Sequence, residues 1–410
     1  MGVRIMRKIG IVGAGQAGLQ LGIGLLKNGY EVVITSNQTA DQIRNGRVTS
    51  SQCMFDRALQ NERELGIDFW DDAPPVEGIQ FSLQQPDGKT ATRWSARLDK
   101  SAQSIDQRVK MPRWLDFFVE AGGDLRISDV GIAELEQLRK ECDLVIVASG
   151  KGEIGKLFER DATRSPFDKP QRALALTYVH GIEPRKEHSA VNFNLIPGVG
   201  EYFVVPALTL TGPCDIMIFE GIPGGPMDRW AGIATPEEHL AESLRILKDF
   251  IPDEYKRSKD AVLTDDRGVL SGRFPPTVRK PVLALPSGAL ALGMGDSVCL
   301  NDPITGQGSN NASHCAAIYL KAILAHGDRA YDADFMQSTF DQYWDYARFV
   351  VQWTNAMLVP PAEHVIKMLI AAEGQPQVAR WFANAFNDPR TLFPTITDAQ
   401  LTELLLSEAA

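Results

Sequence analysis

The sequence predicts an α/β protein: a mostly parallel sheet, a second domain of antiparallel strands inserted into it, and a helical region at the C-terminal end. Three observations carry this. Residues 9–35 read strand, glycine turn, helix, strand. Short runs of alternating polarity, separated by Gly and Pro turns, fill residues 172–220. From residue 331 onward, apolar and aromatic positions recur at helical spacing. The chain has 410 residues, enough for two or three domains with a large core, and is 44% apolar and 23% charged, as ordinary globular proteins are.

The first unit is the most informative. Ile9-Gly-Ile-Val is a hydrophobic run that stops at Gly13-Ala-Gly15-Gln-Ala-Gly18. An apolar-periodic segment with Leu19, Leu21, Ile23, Leu25 and Leu26 leads to Asn28-Gly29, a helix stop, and Glu31-Val-Val-Ile-Thr35 follows as a second strand. A G-x-G-x-x-G in this setting reads as a dinucleotide site. Gly13 allows the tight turn, Gly15 lets the backbone approach a pyrophosphate, and Gly18 brings helix and strand together. The helix N-terminus, with Gln16 and Ala17 in its first turn, faces the phosphates. The competing reading is a glycine-rich turn that binds nothing; the strand and helix on either side argue against it. Thr35-Ser36-Asn37 offers no Asp or Glu for ribose hydroxyls, so the motif does not say which dinucleotide.

The chain in order continues this pattern. Residues 38–66 mix polar and apolar positions, and Phe55–Leu65 looks helical. Arg47 sits where a cation reaches the first phosphate site; taken alone it would be a solvated surface residue. Residues 79–95 read as a hairpin around Pro86-Asp87-Gly88, the first sign of the inserted domain. Ile105–Ala121 reads as a helix with Val109, Trp114, Leu115, Phe118 and Val119 inward, stopped by Gly122-Gly123. Cys142–Ala148 is a buried parallel strand ending in Ser149-Gly150. Gly150-Lys-Gly152-Glu-Ile-Gly155 spells a second G-x-G-x-x-G, but no βαβ unit follows, so it is not read as a nicotinamide site. The runs Leu174–His180, Ala190–Leu195, Tyr202–Val205 and Asp215–Glu220 form an antiparallel sheet, the expected wall of a substrate cavity. Pro236–Phe250 is an amphipathic helix with Leu240, Leu244, Leu247 and Ile251 on one face.

The second informative stretch is Ala289-Leu-Ala-Leu-Gly-Met-Gly295-Asp296. A strand ends at Gly-Asp, and Pro303, Gly306, Gly308 and Asn310 open a helix through Ala316 to Leu324. A carboxylate at a strand end grips a ribityl hydroxyl, and glycines at a helix N-terminus let a flavin ring lie on backbone N–H groups. Those donors and the helix dipole favour negative charge at the flavin N1–C2=O edge. The aromatics of residues 331–408, including Phe335, Phe340, Tyr343, Trp344, Trp353 and Phe382, are read as core.

Composition excludes several classes. A net charge of −10 argues against nucleic acid or an anionic membrane surface as partner. Five scattered cysteines without C-x-x-C spacing read as reduced thiols in a cytoplasmic protein. No secretory signal pattern and no run of eighteen apolar residues is present. The six histidines form no pair at metal-ligand spacing, so no metal is expected.

Gly13-Ala-Gly15-Gln-Ala-Gly18 together with Gly295-Asp296 … Pro303-x-x-Gly306-x-Gly308-x-Asn310 resembles the flavoprotein monooxygenases of the p-hydroxybenzoate hydroxylase fold. Ser149-Gly150 departs from the Asp-Gly of the single-component, NADPH-using members. Ser165-Pro-Phe-Asp-Lys-Pro-Gln-Arg-Ala-Leu174, Asp302-Pro-x-x-Gly-Gln-Gly308, Trp353-Thr-Asn355 and Pro360-Pro361 narrow the resemblance to the two-component styrene and indole monooxygenases, from residue 7 to about residue 395. The resemblance implies a discontinuous, Rossmann-like FAD-binding domain (1–72, 103–168 and 285–330), a substrate-binding β-sheet domain (73–102 and 169–284) and a C-terminal helical region (331–410). It also implies reduced FAD supplied by an NADH-dependent reductase, O2 as co-substrate, a flavin C4a-hydroperoxide, and epoxidation of a vinyl or indole double bond. A second copy of the chain is a candidate partner.

The cofactor residues so implied are Gly13, Gly15, Gln16, Ala17, Gly18, Arg47, Arg108, Gly150, Asp296, Pro303, Gly306, Gln307, Gly308 and Asn310. Ser50, Ser51, Gln52 and Met54, with Pro303 and Asn310 on the flavin side, are the candidates near the reacting centre. Ser50, Gln52, Met54, Val76, Ile79 and Ala102 line the expected substrate pocket. Styrene-type members tend to carry Asn, Val and His at positions 50, 52 and 54 and Ser at 102, so the set here is similar to the indole type. A styrene epoxidase with neutral drift in the pocket is the nearest alternative. A single-component aromatic hydroxylase is disfavoured by Ser149, a halogenase by the lack of W-x-W-x-I-P, and a non-catalytic flavin carrier is the alternative from another class.

Overall fold

The computed structural model describes residues 7–85, 89–150 and 153–409 and contains two large sheets joined by helices. In the first sheet the strands run in the order Val282–Ala284, Leu290–Gly293, Leu144–Val147, Lys8–Val12, Glu31–Ser36, Asp124–Ile127. All neighbours are parallel except the edge strand Val282–Ala284. Strands buried on both faces must be apolar throughout, and Leu144–Val147 (Leu-Val-Ile-Val) is fully buried. Helix Gln16–Lys27 packs on this sheet and on helix Gly308–His326, and Gln20 donates to the Ser313 carbonyl across that contact.

The second sheet has eight strands. Six of them, including Pro75–Gln84, Thr90–Gln103, Ala173–His180, Ala190–Ile196, Gly200–Thr209 and Gly212–Gly221, are long enough to alternate in and out. It is not wholly antiparallel as expected: Pro75–Gln84 pairs in parallel with Ala190–Ile196, because the chain makes its long excursion through the first domain between them. The turn residues Pro86, Asp87 and Gly88 lie outside the described residues, as do Lys151 and Gly152 of the second glycine triplet. The third glycine, Gly155, lies in a 3₁₀ turn, Ile154–Leu157.

The helical readings need two rotations. Helix Gln107–Glu120 buries Trp114, Leu115 and Phe118, but Val119 is half exposed; the charged Arg108 and Lys110 are buried in its first two turns. Helix Pro236–Phe250 turns His239, Ser243, Ile246 and Leu247 inward, with Leu240 and Leu244 only partly covered. In both, buried ion pairs or hydrogen bonds satisfy polar groups that periodicity assigns to solvent.

Helix Ala333–Met357 packs mainly on the first domain, with Phe335, Met336, Phe340 and Tyr343 in its core, and reaches the second sheet's cluster through Trp353; the shorter helices after it close over the second sheet. One apolar cluster contains Phe81, Trp94, Phe193 and Phe203 from the sheet, Trp353 and Phe382 from the C-terminal region, and Ile304 from between the two domains. Trp94 donates its indole N–H to the Leu369 carbonyl at 3.0 Å. No helix among the described residues is long and apolar enough to cross a membrane.

Candidate active site

The two informative stretches of the sequence meet in space. Gly13 has φ +115°, and a Cβ there would lie 2.9 Å from the Ala148 carbonyl carbon. A Cβ on Gly18 would lie 2.0 Å from the Gly13 oxygen, so this glycine sets how closely helix and strand approach. Gly15 differs: a Cβ there meets nothing within 4 Å. It is the N-cap of helix Gln16–Lys27, which has no side-chain cap and no acidic residue in its first turn. The exposed N–H groups and the dipole therefore face open space, the condition for holding a phosphate.

Asp296 stands beside this opening. A Cβ on Gly150 would lie 2.1 Å from the Asp296 Cβ, and one on Gly295 would lie 3.2 Å from the Ala17 Cβ. The ends of strands Leu144–Val147 and Leu290–Gly293 and the first turn of the glycine helix thus converge. Farther along, Gly306 (φ +62°) and Gly308 have open space where side chains would be. Helix Gly308–His326 also begins without a side-chain cap. Two uncapped helix N-termini, three glycines facing space and a carboxylate between them fit the pyrophosphate, ribityl and ring portions of a flavin dinucleotide.

Asn310 joins this cradle to the pocket. Its Oδ1 accepts from the Phe55 N–H at 2.8 Å, and its Nδ2 donates to the carbonyls of Cys53 (2.8 Å) and Gly306 (3.1 Å). The Thr305 and Thr354 hydroxyls, 2.8 Å apart, tie the same turn to the long helix. Pro303 starts that turn, with Asp302 capping Ile304. Gln307 spends its amide N–H on the Phe386 carbonyl, and its oxygen has no partner.

Val76, Ile79 and Ala102 all lie in the apolar cluster with Phe55 and Ile304, and Val76 and Ala102 face each other across paired strands. Ser50 and Gln52 bond to one another: the Ser50 hydroxyl donates to Gln52 Oε1 at 3.1 Å, while the Gln52 amide donates to the Ile105 carbonyl. Ser51 lies between them, half-buried. Cys53, also in the cluster, has its thiol pushed up to about 12 by burial, which leaves it un-ionised and a poor nucleophile.

Three of the expected site residues have other partners. Met54 sits in a small cluster with Ala58 and Leu59, and its thioether accepts from the Lys110 ammonium at 3.1 Å. Gln16 donates to Gln20 and to Glu62, and Glu62 pairs with Lys110. Burial pulls the Lys110 ammonium down and Glu62 holds it up. Arg108 is enclosed by Asp106, Asp265 and Thr209, which take the N–H groups of Nε, Nη1 and Nη2; the structure gives it a brace between domains rather than a phosphate. Arg47, by contrast, is exposed and makes no hydrogen bond or ion pair among the described residues. The sequence reading missed Tyr178, whose hydroxyl donates to the Ser50 carbonyl, and the Lys110–Glu62 pair. Its signal was there: two cations interleaved with apolar residues in a helix that otherwise reads as core.

Comparison with known proteins follows the same lines. A family model described as "Styrene monooxygenase A putative substrate binding domain" matches residues 150–257. Styrene monooxygenase StyA of Pseudomonas fluorescens is 29% identical over 394 residues, covering 93% of each chain. Over nearly its whole length the chain is thus similar to styrene monooxygenases. The family's cofactor is FAD, which the cradle at Gly15, Asp296 and Gly306–Gly308 fits. Among solved structures the fold is shared with a flavoprotein/dehydrogenase from Cytophaga hutchinsonii (TM-score 0.69, 13% identity, 98% of each chain). It is shared also with the flavin-dependent brominase Bmp2 (TM-score 0.62, 15% identity, 98% of this chain and 93% of that one). The likeness to styrene monooxygenases thus rests on the curated relatives, and the p-hydroxybenzoate hydroxylase type of architecture on the folds.

Proposed function

We propose that this chain is an oxygenase that receives reduced FAD from a separate NADH-dependent reductase and epoxidises a small aromatic olefin, with indole preferred to styrene. The observation that carries the reading is the Asn310 junction, which bonds the glycine turn of the cofactor cradle to the Cys53–Phe55 segment of the apolar pocket. Bound reduced flavin supplies the activation of O2 and the oxygen atom that is transferred; the protein supplies the surroundings. Phe55, Val76, Ile79, Ala102 and Ile304 exclude water from the reacting double bond and hold an aromatic ring by apolar contact. The uncapped N-termini at Gly15 and Gly308 favour negative charge on the cofactor.

The indole preference rests on residues 50 and 52. Gln52 Oε1 receives the Ser50 hydroxyl and retains one acceptor site, and the Ser50 oxygen is itself an acceptor. An acceptor left unpaired by styrene and paired by an indole N–H discriminates by roughly 1–3 kcal/mol, about 10- to 100-fold. Met54, held by Lys110, is removed from this argument.

The test uses chemically reduced FAD, O2, and indole or styrene, with product analysis. The expected result is oxygenation of both, with higher kcat/KM for indole, and no turnover when NADH is added without a reductase. Substrate-dependent NADH oxidation by the pure protein would refute the two-component reading. An unchanged indole/styrene ratio in Gln52→Val would refute the basis given for the preference.

A further inference from the structure

A buried cluster of one guanidinium and three carboxylates lies behind the Pro303 turn, and the reaction as described gives it no role. Arg172 grips Glu201 through Nε and Nη2 at 2.7 and 2.9 Å, and its remaining N–H groups go to the carbonyls of Gln171, Met357 and Leu358. Glu201 and Glu220 are cross-strand partners in the second sheet. Asp302, the residue before Pro303, meets Glu220 side chain to side chain, and its Oδ1 caps the Ile304 N–H at 3.2 Å. Glu220 is 0% and Asp302 1% exposed.

Both carboxyl oxygens of Glu220, and Oδ2 of Asp302, lack any hydrogen-bond donor. Arg172 is already spent on Glu201 and on backbone carbonyls, so it does not fill the gap. Two buried acceptors set against each other are repulsive, and one proton between them turns the contact into a charge-assisted hydrogen bond. One shared proton gives a partner to two of these three oxygens, one on each carboxyl group. We infer that Glu220 and Asp302 share a proton, and that this carboxyl–carboxylate bond fixes the Pro303–Gly306 turn against the flavin. The second half of the inference rests on the proposed function, since it takes the flavin to lie on that turn; the shared proton does not.

The charged groups that face the pair are Arg172 and Glu201. Burial, with the neighbouring carboxylates adding to it, pushes Glu220 well above the ordinary carboxylate range, and burial raises Asp302 as well. The sign follows. A carboxyl with a raised value in the folded state contributes stability that is complete below its unfolded value and is lost as pH rises through the folded one. Loss of the proton places two like charges side by side without water, and Asp302 moves away, taking Pro303 with it. Both residues are therefore positioning residues for the cofactor turn.

The test is Glu220→Gln, whose amide N–H donates to Asp302 at every pH. Three quantities are measured from pH 6 to pH 10: FAD affinity, the unfolding temperature of the cofactor-free protein, and the infrared C=O band of a protonated carboxyl. The wild type should show the band at neutral pH, and its FAD affinity should fall about tenfold per pH unit above the titration point. Its unfolding temperature should fall as pH rises toward that point and level off above it. Glu220→Gln should lose the band and show flat profiles. A wild type without the band, or a variant that keeps the wild-type pH profile, overturns the inference. If Glu220→Gln does not fold, Asp302→Asn carries the same donor from the other side, and the wild-type band still decides. Band and unfolding profile need no cofactor, so they stand or fall apart from the oxygenase reading. A protein that shows both but oxygenates neither indole nor styrene refutes the proposed reaction and leaves the shared proton intact.

Discussion

Gly15→Ala and Gly18→Ala add the same methyl group to one turn, three residues apart, and should have opposite consequences. At Gly18 the new Cβ would lie 2.0 Å from the Gly13 carbonyl oxygen, a backbone atom that cannot move without shifting strand Lys8–Val12. Overpacking of this kind costs about 1–3 kcal/mol or more of stability. At Gly15 the backbone is extended (φ −91°, ψ −169°), which alanine adopts freely, and the Cβ meets nothing within 4 Å. The reduced freedom of the unfolded chain and the slightly poorer N-cap offset each other, so stability should stay within about 1 kcal/mol of wild type. The methyl group instead stands where the pyrophosphate approaches. Losing charge-assisted bonds to the helix N–H groups costs about 1.5–3 kcal/mol, about a 10- to 100-fold weaker FAD complex. Urea unfolding and FAD titration on both variants check this. A Gly15→Ala protein that binds FAD as tightly as wild type would show that the phosphates do not lie on this helix, and the account of the cradle would fail with it.

Three further outcomes follow from the same geometry. Asn310→Ala removes three buried hydrogen bonds and leaves the Phe55 N–H without a partner, so urea unfolding should show a loss of about 2–4 kcal/mol; less than 1 would mean the junction is not a joint. Asp296→Ala should weaken FAD binding by about 1–3 kcal/mol in titration, with unchanged affinity excluding it as the ribityl ligand. Burial lowers His239 to about 4, with Thr177 on its Nδ1 and Trp230 stacked on the ring. A histidine kept neutral in the folded state gives stability that is complete above its ordinary value near 6.5 and is lost as pH falls toward 4. The expected loss is on the order of 2–3 kcal/mol, absent in His239→Gln; equal acid sensitivity in both proteins would refute this source.

Much of the fold was legible because its signals are local. The glycines at 13 and 18 have separate steric reasons, and both are visible in a strand–turn–helix pattern. The parallel strand Leu144–Val147 announces itself by having no polar position at all. The pocket was legible in part: Val76 and Ala102 belong together because they sit opposite each other on a hairpin, and pairing of that kind follows from strand register. What escaped was polar and non-local. Arg108 looks like a phosphate ligand until Asp265, 157 residues away, takes it. Met54 looks like a pocket wall until Lys110 arrives from another helix. Gln52 looks like a free amide until the Ile105 carbonyl, 53 residues away, takes its N–H. Side-chain hydrogen bonds between distant segments leave no periodic trace, so a sequence shows that such groups exist but not how they pair.

The order in which the chain is made bears on the apolar cluster. Phe81, Trp94, Phe193 and Phe203 are complete when the second sheet forms, yet their cover, Trp353, Met368, Leu369, Phe382 and Phe386, is translated 150 residues or more after Phe203. A nascent chain therefore carries a bare aromatic sheet face until residues 353–386 have left the ribosome. The 165 residues from Gly221 to Phe386 take roughly 8–33 seconds at about 5–20 residues per second, long enough for exposed faces to find one another. Shortened chains ending before residue 353 would keep the cofactor cradle's glycines and strands but never cover that face. They should collect as aggregates in the cell, and chaperone supply should govern the yield of full-length protein more than induction strength does.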